Sequence, residues 1–187
     1  LESLHSYFSG MSFSPDGKQL AFVAKTKGKD AIYVADVKRK KIVKRIKLDF
    51  HNVLSPMFAP DGDHIVFSAL SKDLRDLYVY SLSTGDIRKL TEDRYDDVEP
   101  SWLPDSKSLI FASDRPHPVK SGITNLGQAA TDSISPTPGG FEYGVYNLFK
   151  LDLSTLAVSP VDVGSGSNRS PVVSPNGTNA NPVLDGS

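Results

Sequence analysis

The residues of this 187-residue chain that could carry chemistry are concentrated in one acidic segment. Five carboxylates fall within eight residues, with an arginine and a tyrosine among them: Glu92, Asp93, Arg94, Tyr95, Asp96, Asp97 and Glu99. Because hard cations bind several carboxylate oxygens at once, a cation site is one interpretation. The spacing matches no calcium-binding loop, however. We favour a solvated rim in which some of these carboxylates pair with Arg94 or Arg115.

The sequence shows no catalytic pattern. The stretch Gly164-Ser165-Gly166-Ser167 does not match the Gly-x-Ser-x-Gly elbow of hydrolases, and no glycine-rich phosphate loop is present. The absence of cysteine excludes a thiolate zinc site and a cysteine nucleophile. None of the histidines has a metal-ligand partner at a suitable spacing. We therefore expect no enzymatic activity, no bound metal and no cofactor in this chain.

The composition is that of an ordinary globular protein. The chain has 21 Lys and Arg against 22 Asp and Glu, and 39% of its residues are hydrophobic. These values argue against a strongly cationic nucleic-acid binder and against a disordered polyelectrolyte. No apolar stretch approaches the roughly 18 residues of a membrane helix. We expect neither nucleic-acid binding nor membrane insertion.

An internal repeat indicates which elements position the acidic segment. The turn sequence Ser14-Pro15-Asp16-Gly17 returns three times, with prolines 45, 44 and 71 residues apart, as Ala59-Pro60-Asp61-Gly62, Leu103-Pro104-Asp105-Ser106 and Ser174-Pro175-Asn176-Gly177. The third interval contains an insertion of 27 residues. An aromatic or apolar residue lies two positions before each proline, and a phenylalanine lies seven positions after each of the first three. Such a fixed period predicts a repeat architecture.

Each copy predicts a four-stranded antiparallel meander. Its first turn fits a type I turn, with proline at the second position and glycine at the fourth, where φ can be positive. Ser106 replaces that glycine in the third copy, so we expect a strain of about 1 kcal/mol there if the backbone is conserved. Phe67, Trp102 and Phe111 are predicted to lie buried between neighbouring sheets.

Four-stranded units of about 45 residues are typical of β-propeller blades. The pattern Pro-x-[aromatic]-Ser-Pro-Asp-Gly-Lys, followed by Phe22 or Phe67 and by Ile32-Tyr33-Val34 or Leu77-Tyr78-Val79, resembles the TolB-like β-propeller repeat. That repeat also occurs in propellers attached to peptidases of the prolyl-oligopeptidase and tricorn types. The resemblance implies an all-β propeller in which blades span 10–50, 54–92 and 98–164.

A partial fourth blade is predicted over 169–187, within a single domain spanning 1–187. Only its first strand is expected, because Asn179-Ala180-Asn181-Pro182 stands where an apolar second strand should lie. Known propellers close with about four to eight blades. We therefore expect either a fragment of a larger propeller or a ring that another chain completes, with self-association through the open blade edges.

The loop that contains the insertion occupies 114–145, between the second and third strands of the third blade. In a propeller, such loops share one face with the loops that join consecutive blades. We therefore expect a candidate binding surface composed of the acidic segment, the insertion and the start of the fourth copy: Asp93, Arg94, Tyr95, Asp96, Asp97, Arg115, His117, Lys120, Asn168 and Arg169. Either the insertion is mainly a mobile loop or it recognises a ligand, and the sequence leaves both open.

A basic run from Lys38 to Lys47 holds seven of the 21 positive charges. It spans the last turn and the outer strand of the first blade. Contact with an anionic partner is one interpretation. The one we favour is protection of the sheet edge, because charged side chains oppose edge-to-edge pairing.

The resemblance implies a non-catalytic module that binds a protein or peptide through its loop face or at the mouth of its central channel. It also implies a bacterial protein that is periplasmic or otherwise exported and is linked to envelope assembly or trafficking. The alternative is an accessory propeller that gates substrates for a peptidase whose catalytic domain lies outside this chain.

Overall fold

The computed structural model describes residues 10–26, 28–116, 146–162, 168–174 and 180–184. These residues form fourteen β-strands and no helix. The strands, in chain order, are β1 Met11–Phe13, β2 Gln19–Thr26, β3 Lys29–Asp36, β4 Lys41–Lys47, β5 His51–Phe58, β6 His64–Ser71, β7 Leu74–Ser81, β8 Ile87–Lys89, β9 Asp97–Trp102, β10 Ser108–Ser113, β11 Asn147–Asp152, β12 Val158–Pro160, β13 Asn168–Val173 and β14 Ala180–Leu184.

The strands pair in chain order to form consecutive antiparallel sheets. β1 to β4, β5 to β8 and β9 to β12 each make a four-stranded meander, and β13 pairs with β14. The three predicted four-stranded meanders are therefore confirmed. In the third sheet the ladder runs to Ser113 opposite Asn147, so the insertion leaves from the end of a fully paired hairpin.

The repeated turn adopts the predicted geometry in all three complete copies. The amide of its fourth residue donates to the carbonyl of its first at 2.8 Å for Gly17, 2.9 Å for Gly62 and 3.1 Å for Ser106. The φ angles of these residues are 68°, 74° and 54°. Ser106 therefore keeps the left-handed backbone that its glycine counterparts adopt, which is the condition for the expected strain.

The core lies between the sheets. Strand alternation directs Ile65 and Phe67 of β6 towards the first sheet and Val66 towards the third. Phe67, Trp102 and Phe111 are buried at these boundaries, as predicted. In each blade the phenylalanine of the second strand pairs with an aromatic ring of the third, as Phe22 with Tyr33, Phe67 with Tyr78 and Phe111 with Phe149.

The first strands of the sheets are innermost and the fourth strands are outermost. The hydroxyl of Ser12 on β1 accepts from the amide of Phe58 on β5 at 3.1 Å. Glu99 of β9 likewise contacts β13, accepting from the amide and hydroxyl of Ser170. In the described ranges, the outer strands β4, β8 and β12 have no contact with one another. This is the radial arrangement of an open, partial propeller.

One repeat position differs sharply in burial between sheets. Phe58 and Trp102 are only 5% and 6% exposed, because each packs against the preceding sheet. Phe13 holds the same position in the first sheet and is 58% exposed, and the neighbouring Met11 is 69% exposed. The surface of the first sheet on which Met11 and Phe13 lie is therefore partly exposed.

The fourth sheet corrects the prediction of a single strand. β14 pairs with β13 over Ala180–Leu184, in the stretch where no second strand was expected. The prediction was wrong because it used apolar side chains to recognise a strand. The hydrogen bonds that pair β14 with β13 are made by backbone groups and do not need such side chains. Pro182 lies where the register shifts between Arg169 and Val172, so its missing N–H falls at an irregular part of the ladder.

Within the described ranges, none of the chain forms a helix with the length and hydropathy needed to cross a bilayer.

Candidate functional site

A buried arginine organises the loop face, which is the surface that carries residues 92–97, Arg115 and the start of the fourth sheet. Arg115, just after β10, is 8% exposed, and the Asp97 side chain at the start of β9 is inaccessible to solvent. The guanidinium donates from Nη1 and Nη2 to the two carboxylate oxygens of Asp97 at 2.8 and 3.0 Å. Nη2 also donates to Asp93. This arrangement fixes the base of the insertion to the loop that joins the second and third blades.

Three aromatic rings surround the same guanidinium. Its central carbon lies 5.4 Å from the ring centroid of Tyr95, 5.3 Å from that of Phe111 and 5.6 Å from that of Phe149. Such positions are attractive because the faces of aromatic rings are electronegative. The aromatic pair that forms the core of the third blade is therefore capped by a cation.

The second blade caps its aromatic pair differently. Val53 holds the repeat position of Asp97, seven residues before the turn proline, and is 1% exposed. The ring of Phe50 lies 4.4 Å from that of Tyr78 and 6.2 Å from that of Phe67. An apolar cap in one blade thus corresponds to an ionic cap in the next, and the ionic cap is the one beside the insertion.

Burial governs the protonation of the ionic cap. It raises the pKa of Asp97 to about 6, and the attraction of Arg115 and hydrogen bonds from Ser113 and Thr91 oppose that rise only in part. The pKa of Arg115 is raised, because hydrogen bonds and attraction from Asp93 and Asp97 outweigh its burial. Arg115 is therefore charged at any physiological pH, and Asp97 is the member of the pair that can change charge.

A second polar group joins the loop face to the second sheet. Asp96 accepts hydrogen bonds from the backbone amide of Arg75 at 2.8 Å and from its Nη1 at 3.1 Å. The amide of Asp96 donates to Asp114 Oδ1 at 2.8 Å. Burial raises the pKa of Asp114, and proximity to Asp96 adds to the rise. Hydrogen bonds thus hold the carboxylates of Asp96 and Asp114 in a network, and the two do not converge on one ligand position.

Tyr146, at the return of the insertion, connects this network to the fourth sheet. The guanidinium carbon of Arg169 lies 4.5 Å from the ring centroid of Tyr146, and the Tyr146 carbonyl accepts from the amide of Asn168 at 2.7 Å. Burial, followed by the negative charge of Asp96, raises the pKa of the Tyr146 hydroxyl. Arg169 Nη2 in turn donates to Glu99 Oε1 at 3.0 Å.

Glu99 stands at a repeated backbone feature that borders a recess. A positive φ recurs in or directly before each inner strand, five positions before the turn proline: Gly10 (76°), Ser55 (51°), Glu99 (54°) and Ser170 (49°). In β5, β9 and β13 the ladder register shifts at this place. Non-glycine residues with positive φ, as well as β-bulges, are concentrated at functional sites.

The four residues meet at one central recess of about 220 Å³. The carboxylate of Glu99 spans two of its walls, accepting from the amide and hydroxyl of Ser170 at 2.6 and 3.1 Å. The recess is further lined by residues of the four inner strands: Met11, Pro56, Met57, Pro100, Pro171 and Val172. It is largely apolar, and through Glu99 and Arg169 it is continuous with the loop face.

Eight of the ten predicted site residues lie in described ranges, and the structure brings them to this one face. Asp93 and Arg94 are exposed, while Tyr95, Asp96 and Arg169 are half-buried. The other three, Asp97, Arg115 and Asn168, are buried, so they can position a surface but not contact a partner directly. His117 and Lys120 lie outside the described residues.

Sequence reasoning missed three residues of this site and gave little weight to Glu99. Arg75 is the second residue of β7, beside the loop between the second and third strands of the second blade, so the rule that such loops share a face could have identified it. Tyr146 and the positive-φ position of Ser55 carried no signal of that kind, because ordinary residues occupy both. In the described part of the chain, no three His, Asp or Glu side chains are placed to hold a metal ion. The predicted pairing with Arg115 is present through Asp93 and Asp97, but Asp97 is buried and so is not part of a solvated rim.

Known proteins with similar sequences and structures identify the family of this chain. The family model described as TolB beta propeller domain matches residues 4–126. The Tol-Pal system protein TolB of Bordetella pertussis is 29% identical over 105 residues, which are 56% of this chain and 24% of the relative. The corresponding proteins of Bordetella parapertussis and Bordetella bronchiseptica match over the same shares. The chain spans about a quarter of the length of these relatives.

Solved structures agree on the fold. TolB from Acinetobacter baumannii superposes with a TM-score of 0.64 at 22% identity, covering 95% of this chain and 37% of that one. The acylaminoacyl peptidase of Pyrococcus horikoshii superposes with a TM-score of 0.54 at 16% identity, covering 82% of this chain and 24% of that one. Together with the family match over most of the sequence, these results show that the chain belongs to the family of TolB β-propeller domains.

Proposed function

We propose that this chain is a non-catalytic module that binds a protein or peptide across its loop face and central recess. The observation that carries the proposal is the continuity of the two. Exposed Arg94 and half-buried Tyr95 lie on a surface that the buried Arg115–Asp97 pair holds in place, and the Arg169–Glu99 bridge leads from it into an apolar recess. Arginine and tyrosine beside an apolar pocket are the residue types that most often dominate binding energy.

The matched relatives are named as proteins of the Tol-Pal system. By extension, we propose that this chain acts in a bacterial envelope, in the periplasm, and that its partner is a protein of that system. Self-association through open blade edges remains a separate prediction.

Calorimetric titration of the chain with the Pal protein of the same organism tests this function. We expect saturable binding that weakens about tenfold or more when Arg94→Ala removes a loop-face side chain, and likewise when Val172→Asp places a charge in the recess. Val172 is 62% exposed, so that substitution should leave the fold intact. Matched controls on other surfaces are Lys107→Ala and Val158→Asp. An absence of binding, or equal weakening by test and control variants, would contradict the proposal.

The similarity to the acylaminoacyl peptidase supports a second candidate, an accessory propeller that admits peptides to a catalytic domain on another part of the polypeptide. The same recess would then receive extended peptides rather than a folded protein. Fluorescence anisotropy with short unstructured peptides distinguishes the two. Peptide binding that Val172→Asp abolishes, without any binding of Pal, would favour the peptidase-associated role.

A further inference from the structure

The first blade differs from the other blades in charge. Residues 10–50 contain 11 Lys and Arg against 4 Asp and Glu, whereas the rest of the chain contains 10 against 18. Much of this excess lies in the turn before β4 and in β4 itself. The near-zero net charge of the whole chain therefore conceals a strongly polarised molecule, and such polarity orients a protein towards charged partners.

Protection of the sheet edge does not account for the number of charges on β4. The outer strands β8 and β12 are three residues long, and they carry two basic residues and none, respectively. β4 is seven residues long and carries four, and the preceding turn adds three more. β8 is charged about as densely as β4, but β12 is an outer strand without any charge, and the three basic residues of the turn lie outside the edge strand.

Some of these basic residues have internal roles. Lys44 donates to the Leu82 carbonyl at 2.6 Å and lies over the ring of Tyr80. Arg45 lies over Tyr33, and Arg39 pairs with Asp36 at 3.9 Å.

The remaining four lysines are exposed, and we call them, together with Ile42 and Val43, the basic edge: Lys38, Lys40, Lys41 and Lys47. Among the residues that the structure describes, no carboxylate lies within ion-pairing distance of these four ammonium groups.

Two apolar side chains lie among these lysines. Ile42 and Val43 are 47% and 49% exposed, although they are consecutive residues of one strand. The ladder between β3 and β4 shifts register here, pairing Val34 with Lys44 and Ala35 with Ile42, so that Val43 has no opposite residue. A bulge of this kind disfavours the addition of another strand. The basic edge is therefore better suited to a charged surface than to an extended peptide.

We propose that the basic edge of the first blade is a peripheral binding site for the headgroups of an anionic phospholipid membrane. The lysines supply the attraction to phosphate, and Ile42 and Val43 supply shallow apolar contact at the interface. The site lies at the outer rim, whereas the proposed partner surface lies on the loop face and around the central recess. A membrane contact would thus leave the partner surface accessible.

Co-sedimentation of the full chain with vesicles tests this site. We expect binding to vesicles of phosphatidylcholine and phosphatidylglycerol, weakening as salt is added, and none to phosphatidylcholine alone. Each lysine near an anionic surface strengthens binding about fivefold. The variant K38Q/K41Q/K47Q should therefore bind about 100-fold more weakly. The matched variant K72Q/K107Q/K150Q removes the same charge elsewhere and should bind like the wild type.

Two further results separate a membrane from an acidic protein. I42S/V43S should also weaken vesicle binding, because it removes the apolar contact but no charge. Soluble polyglutamate should bind more weakly than the vesicles. The proposal is overturned if anionic vesicles do not bind at low salt, if both lysine variants lose binding equally, or if polyglutamate binds more tightly than the vesicles. Thermal unfolding of each variant verifies that it is folded.

Discussion

Trp102 and Met57 join the second and third sheets through one hydrogen bond, in which the indole Nε1 donates to the Met57 carbonyl at 3.1 Å. Trp102 is buried at that boundary, and Met57 also lines the central recess. A contact that joins two blades therefore also involves a residue that lines the proposed binding site. Stability and function are therefore coupled at this point.

The residue two positions before the turn proline should contribute very differently to the free energy of unfolding in the first and second sheets. Phe58→Ala removes a ring that is 5% exposed, and Phe67→Ala removes one that is fully buried; each should lower the free energy of unfolding by about 3 to 5 kcal/mol. Phe13→Ala, at the repeat position of Phe58, should lower it by less than about 1 kcal/mol because that ring is largely exposed. Urea denaturation measures all three. Similar losses for Phe13 and Phe58 would refute the assigned packing.

The strained turn of the third blade should be relieved by glycine. Ser106 has a φ of 54°, a region that disfavours residues with a Cβ. Ser106→Gly should raise the free energy of unfolding by about 0.5 to 1 kcal/mol, after allowing for the greater freedom of glycine in the unfolded chain. Gly17→Ser is the reverse change at the same repeat position, where an added Cβ meets no atom within 4 Å. It should destabilise by a similar amount, and a change of the same sign in both variants would contradict the explanation.

The buried pair of Asp97 and Arg115 should behave as one unit. Asp97→Val or Arg115→Leu alone leaves a buried charge without its main partner, which typically costs about 3 to 5 kcal/mol. The double variant gives this blade the apolar residue that Val53 provides in the second blade. It should therefore be more stable than either single variant. A double-mutant cycle measures the coupling, and additivity within about 0.5 kcal/mol would show that the pair is not a unit.

Asp97 should make stability depend on pH in the direction opposite to most carboxylates. Its pKa is about 6 in the folded chain, raised from 3.8 by burial. The folded state therefore holds this proton more tightly than the unfolded state. The stabilisation from this group is complete below about pH 4 and is lost as the pH rises through 6. NMR titration of the Asp97 side-chain carboxyl should give a midpoint near 6.

Asp152 provides the internal contrast. Hydrogen bonds from the Ser154 hydroxyl, and then from the Thr155 backbone and hydroxyl, lower its pKa to about 2. Its contribution to stability is therefore present above pH 3.8 and is lost as the pH falls through 2. The same NMR titration resolves both groups. If Asp97 titrated below Asp152, the assigned environments would be wrong.

The repeat made most of the fold predictable. Turn proline, turn glycine and strand aromatics recur at fixed offsets, so they specify the strand order, the turn geometry and the rings between sheets. Even the strained Ser106 follows from its alignment with Gly17 and Gly62. The second strand of the fourth sheet could not be predicted in this way. It carries no apolar alternation, and pairing by backbone groups leaves no pattern of side chains.

The candidate site was predictable in location but not in organisation. The topology of a propeller was enough to place Asp97 and Arg115 on one face and to suggest that they pair. It could not show that Arg115 is buried over Phe111 and Phe149, because that requires the packing of three elements. The positive φ of Ser55 and Glu99 was equally hidden, since neither residue type signals it.

Hydrogen exchange of the chain, alone and with Pal added, tests the central claim most directly. A partner seated on the loop face and recess should slow exchange of the backbone amides at 92–100 and 168–174, and leave the amides of the Pro-Asp-Gly turns at 14–18 and 59–63 unchanged. Protection confined to those turns, or no protection anywhere, would contradict the account.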